Sequence, residues 1–178
     1  PAEALQTVGA FVAHAPVIDH ATFDAVAASV VRRTPRIYAI EWAPLVPDAE
    51  RGAVEARARA DGHADWAIRE AAPNGMVTAA PRPSYLPILH AYPENPAAGF
   101  DVLSRPEAAA VFKQACSTGQ AVFSPRYRLI EDTDEDSSGQ NEQGGRDEPM
   151  IMIEHVHLRP GQLPIFNAAN QLCIGTSA

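Results

Sequence analysis

Apolar side chains in the first thirty-odd residues recur at helical spacing, and this fixes what the opening of the chain can be. Leu5, Val8, Phe11 and Val12 form one stripe. Phe23, Val26, Ala27, Val30 and Val31 form a second, with Asp19 placed to cap it. Pro16 stands between the two and predicts a kink or a division, because its ring removes one helical hydrogen bond and clashes with the preceding turn. A stripe of this kind is a core-facing helix by default. Read instead as a dimer seam running on from a membrane helix, it describes the same residues.

After Pro35 the periodicity changes. Ile37 to Trp42 alternates β-branched and aromatic residues as a strand does. Asp48 is a candidate cap for a helix that contains Val54 and ends at Gly62. Val77 to Ala80 and Tyr85 to Tyr92 read as strands, the second a central one because it carries so little charge. Ser104 and Glu107 have the spacing of a capping box ahead of Ala108 to Cys116. Thr118 and Gly119 close that helix before a strand at Ala121 to Phe123. Asp101 thus falls between a hydrophobic strand and a helix start. That is a usual place for a capping residue, and also for a polar group that fixes a ligand.

From Glu131 to Pro149 the residues turn acidic and small, and the stretch predicts a solvated surface loop. Its acids lack the glycine and closing glutamate of a calcium loop. Strands resume at Met150 to Leu158, Leu163 to Phe166 and Leu172 to Ile174. Helices and strands do not alternate regularly enough for a doubly wound parallel sheet, so the pattern predicts an α/β fold of the α+β kind with PAS-like antiparallel sheets.

A net charge of −8 excludes a nucleic-acid surface, which needs clustered cations to replace phosphate counterions. Hydrophobic residues make up 46% of the 178, enough for a real core. The chain opens at Pro1 and is read as a piece of a longer protein. Cys116 and Cys173 form neither a CxxC pair nor a zinc framework; they are compatible with buried free thiols or, in an oxidising compartment, with a disulfide.

Catalytic motifs yield little: there is no GxSxG elbow, P-loop, HExxH or GxGxxG. His155 and His157 would share one face of a strand, and a metal-binding enzyme using both is the alternative reading of function. Surface histidines on a half-exposed strand are the plainer account of the pair.

Several segments, in order, resemble one family. Ile37 to Val46, with Trp42, Pro44 and Val46 followed by Glu50-Arg51, resembles the opening of CHASE domains, the extracellular sensory modules of histidine kinases and nucleotide cyclases. Ser84-Tyr85-Leu86-Pro87-Ile88, Gly99-Phe100-Asp101-Val102-Leu103-Ser104, and Ala115 to Gly119 with Ser124-Pro125 are similar to later segments of the same family. The family's closing strand is not evident, its place being taken by the acidic stretch and Met150 to Leu158.

The resemblance implies a long N-terminal helix followed by tandem PAS-like antiparallel sheets with flanking helices. Residues 1–34 would be the stalk, 35–130 the membrane-distal ligand-binding part, 131–149 the mobile loop and 150–178 the membrane-proximal part. In plant cytokinin receptors of this family the matching aspartate bonds the adenine ring, and here that position is Asp101. The implied ligand-binding residues are Asp101, Tyr85, Leu89, His90, Leu103 and Phe123, with Arg128 a further candidate. Trp42, Pro44 and Arg51 are read as structural, Arg51 pairing with Glu41 or capping a helix end. The implied role is small-molecule sensing, without cofactor or metal, in a periplasmic domain of an inner-membrane receptor. Its ligand class includes a cytokinin-like purine, and its partners are a second copy of the receptor and flanking transmembrane helices. A spacer that only drives dimerisation is a third reading of the same helical stripe.

Overall fold

The computed structural model describes residues 7–12, 18–34, 37, 39–73, 75–94, 96–118, 122–123 and 152–153. Within them the chain is an α+β structure of helices and small antiparallel sheets. Residues 7–12 are helical, and helix α1 spans His20–Arg33. Asp19 caps α1 as its position in the sequence predicts, its carboxylate accepting from the Thr22 N–H at 2.8 Å. Phe23, Ala27 and Val30 are the buried face, at the i, i+4, i+7 spacing of a helix on a core. Val8, Val12, Ile18 and Ile40 complete that cluster.

Strand β1 (Ile40–Trp42) pairs antiparallel with β6 (His90–Tyr92), and β2 (Val46–Pro47) pairs with β5 (Ser84–Tyr85). The uncharged run that predicts one central strand from Tyr85 to Tyr92 is therefore two short strands serving two sheets. Pro87 lies between them, making an isolated bridge to Asp101. A proline cannot donate to a ladder, so a continuous central strand through this position is disfavoured.

Helix α2 (Arg51–Ala60) follows a 3-10 turn at Asp48–Glu50. Asp48 does not cap it; neither the turn nor the helix has a side-chain cap, and the Asp48 carboxylate accepts from the Tyr85 hydroxyl instead. Gly62 does end the helical region, with φ at +106°. Val54 and Ala58 of α2 pack with Val46, Trp66, Ile68, Ala79 and Tyr85 in a second cluster.

A hairpin of β3 (Arg69–Ala72) and β4 (Gly75–Thr78) comes next. A 3-10 turn at Val102–Ser104 leads to α3 (Pro106–Thr118). The capping box does not form: Ser104 Oγ is buried and accepts no helix N–H, and the Arg105 carbonyl takes the bond from the Ala109 N–H. Pro106 begins the helix, where a missing N–H costs nothing. Beyond α3, β7 (Val122–Phe123) pairs with β8 (Met152–Ile153).

Candidate functional site

Asp101 is the centre of the most connected polar group in the interior. It is fully buried, and its backbone is fixed from both sides: its N–H donates to the Arg69 carbonyl at 2.7 Å, and Gly99 two residues earlier accepts from the Arg69 N–H. Gly99 has φ at +83°, and a Cβ there would run into the Ala67 carbonyl oxygen. Only glycine can take the chain past Ala67 and deliver the aspartate to this position.

The carboxylate is held by three donors. Oδ1 accepts from the Leu86 N–H at 2.7 Å and the Leu103 N–H at 3.1 Å, and Oδ2 accepts from Arg82 Nη1 at 3.1 Å. The Leu103 bond makes Asp101 the cap of the 3-10 turn as well. A carboxylate has about four acceptor positions, so the described residues leave one, on Oδ2. Burial pushes the Asp101 pKa up from 3.8, against the opposing pull of the Leu86 N–H, Arg82, the Leu103 N–H and Arg51. The acid is thus costly to ionise despite its partners.

Arg82 does not belong to Asp101 alone. Its other terminal nitrogen pairs with Glu70 of β3, and its backbone N–H donates to the Tyr85 hydroxyl at 3.1 Å. Tyr85, wholly buried, donates to Asp48 at 2.6 Å and accepts from Arg51 at 3.3 Å. The guanidinium carbons of Arg51 and Arg82 lie 5.1 and 5.8 Å from the centre of its ring. Arg51, expected to pair with Glu41 or cap a helix end, bonds instead to Glu55, the carbonyls of Ala79 and Ile68, and Tyr85. Burial opposes its charge, and the bonds to Glu55 and Tyr85 override this and raise its pKa above the ordinary arginine value. Glu55 closes the group by accepting from the Ile68 N–H.

Of the residues expected to line a ligand site, the fold brings Asp101, Tyr85 and Leu103 into one network, and Leu89 packs against the Tyr85 cluster. His90 is elsewhere. It lies buried among the residues that face α1, stacked between Phe23 and Trp42 at ring separations of 5.5 and 5.6 Å. Burial holds its pKa below 6.5, against the Ile18 carbonyl and Asp61. Phe123 is in β7, but its side chain lies outside the described residues, as do Arg128, His155, His157, Cys173 and the acidic stretch at 131–149. Cys116 is disulfide-bonded. Arg82 and Glu70 were not evident from sequence as site residues. The signal available for Arg82 was its setting between Pro81 and Pro83, an arginine on a stiff segment ahead of a buried tyrosine.

Fold and site together define, among the described residues, a small α+β domain with a buried network of hydrogen-bonded and ion-paired side chains around Asp101 and Tyr85. The model of the CHASE domain matches residues 16–140, and the chain belongs to the CHASE family, the extracellular sensory domains of signalling receptors. No curated protein matches the chain. Among the described residues no helix is long and apolar enough to cross a membrane.

Proposed function

We propose that this chain senses a small molecule outside the cytoplasm for a membrane-bound receptor of the histidine-kinase or cyclic-di-GMP class, and that Asp101 fixes the ligand. The observation that supports the site is the state of Oδ2: one acceptor position beyond the bond to Arg82, on a buried carboxylate whose partner Arg82 lies over the Tyr85 ring. A donor-rich ligand, an amine or a purine among them, would bond there with the strength that exclusion of water gives. Leu89 would add apolar wall. Arg82 can yield its bond to Asp101 without becoming an orphan charge, because Glu70 still neutralises it.

In this reading the ligand takes the open position on Oδ2, competes there with Arg82, and so loosens the tie that Arg82 makes between β3 and the segment leading to α3. Signalling follows only if the ligand prefers one of those two arrangements. The receptor would be a homodimer with transmembrane helices beside this domain. Residues 1–34 would serve as its stalk, 35–130 as the distal PAS-like part and 150–178 as the proximal one.

The test is a thermal-shift screen of donor-rich metabolites, adenine derivatives included, on the parent chain and on Asp101→Asn. A true ligand present at a hundred times its Kd stabilises the parent by about 2.7 kcal/mol. Asp101→Asn should lose most of that gain. A compound that stabilises both chains equally would remove Asp101 from the site, and a panel without any stabilising compound would count against sensing by this domain.

A further inference from the structure

A second constellation lies apart from the Asp101 network. His20 at the start of α1, His63 just past α2 and His90 at the head of β6 come together, each offering one ligand atom within 4.8 Å of the others. Nothing in the sequence links them, since they are separated by dozens of residues and belong to no motif.

The tautomers make the arrangement informative. His90 Nε2 lies 3.4 Å from the Ile18 carbonyl, an acceptor only, so Nε2 carries the proton and Nδ1 a lone pair. His20 Nε2 lies 3.5 Å from Asp24 Oδ2, an acceptor that favours the proton on Nε2 and the lone pair on Nδ1. These two Nδ1 atoms, together with His63 Nε2, are buried and have no hydrogen-bond partner. Each ring therefore has one unpartnered nitrogen, and His90 itself is only 2% exposed. Buried polar atoms without partners are rare, and one cation bound by all three nitrogens would satisfy them together.

We propose that His20, His63 and His90 bind a divalent first-row transition metal ion of the zinc type, through His20 Nδ1, His63 Nε2 and His90 Nδ1. Three imidazoles are a donor set suited to zinc, nickel or copper, and leave a fourth position for water or another ligand. Tetrahedral zinc with bonds of about 2.0–2.1 Å spaces its nitrogens about 3.3 Å apart, so ligand atoms within 4.8 Å of one another need only draw together around the ion. The Ile18 carbonyl supplies His90 with the outer hydrogen bond that metal-bound histidines ordinarily have, and the Asp24 carboxylate stands 3.5 Å from the outer nitrogen of His20. The Asp61 carboxylate, accepting from the His20 N–H at 2.9 Å, ties the start of α1 to the end of α2 and holds two of the ligands in register.

The experiment uses the whole chain, stripped with a chelator and titrated with Zn²⁺ by calorimetry. Co²⁺ then serves as a spectroscopic probe of coordination. One Zn²⁺ per chain is expected, with Co²⁺ giving the intense visible bands of a four-coordinate site. His63→Ala, at a partly exposed turn where folding should be unaffected, and His20→Ala should each weaken binding at least about 100-fold. The His155→Ala/His157→Ala double variant should bind as the parent does. The proposal fails if the folded parent takes up no stoichiometric metal, if His63→Ala and His20→Ala bind like the parent, or if the double variant loses the ion.

Discussion

The Tyr85 hydroxyl donates once and accepts twice while its ring fills the core, so one atom carries much of the interior's polar order. Tyr85→Phe keeps the packing and removes those bonds. Each is worth about 1 kcal/mol net, and partial rescue by water should limit the total to roughly 1–2 kcal/mol, read as a lower urea midpoint at unchanged slope. Asp101 gives a prediction of a different kind. Its pKa is raised in the folded chain, so the folded state holds a proton that the unfolded chain has released. The stability this contributes is complete below the ordinary value of 3.8 and is lost as pH rises through the raised one. Asp101→Asn does not titrate there. The stability of the parent relative to Asp101→Asn should therefore fall with rising pH across that window and level off above it; paired urea titrations at a series of pH values would show it, and a flat difference would contradict the burial argument. At this scale the sequence announced Asp101 and Tyr85 because each sits in a segment with a pattern. It did not announce Arg82, Glu70, His20 or His63, and it named His90 only beside Asp101. Their meaning comes from neighbours that only the folded chain supplies.

Local rules read α1 well: the stripe, the Asp19 cap and the change of pattern after it all agree with the observed helix. They failed where a tertiary contact outbid them. Asp48 was free to cap a helix until Tyr85 required an acceptor, and the capping box at Ser104 and Glu107 gave way to a start at Pro106. The β3–β4 hairpin was half seen, since Arg69–Ala72 has two charges and two alanines and little of the β-branched character that marks a strand. Elements also hold one another through single residues. Gly99 lets the segment before Asp101 pass against Ala67, and Gly99→Ala combines a left-handed backbone with a collision against a carbonyl. A loss of at least about 2 kcal/mol is expected, measured by thermal or urea unfolding. A tolerated alanine would mean that this approach is not as close as described.

Across the whole molecule, β6 is the shared wall. His90 and Tyr92 face the cluster on α1, and Ala91 packs with Ile88, Ala97 and Phe100 on the other side. The Leu89 N–H donates to the Trp42 carbonyl, and the His20 N–H reaches Asp61 beyond α2. Parts so joined should unfold together. The two tryptophans report on different clusters, Trp42 beside α1 and Trp66 beside α2. In Trp42→Phe the remaining Trp66 fluorescence, and in Trp66→Phe that of Trp42, should each change at the same denaturant concentration as the circular dichroism of the same variant. Separate midpoints would mean that the two clusters are independent units. The α+β class was legible from irregular alternation; the splitting of the uncharged run between two sheets was not, because strand pairing depends on residues far along the chain. The setting of Arg82 has a kinetic corollary. Pro81 and Pro83 restrict the backbone on either side, and the Pro83 carbonyl is further tied to the Asp48 N–H. An arginine mounted on so stiff a segment changes partners by turning its own side-chain bonds, which takes nanoseconds or less where the side chain is free to move. In the proposed sensing role the domain would register the arrival of a guest without first rearranging its frame, and how long the message lasts would be set by how slowly the guest leaves.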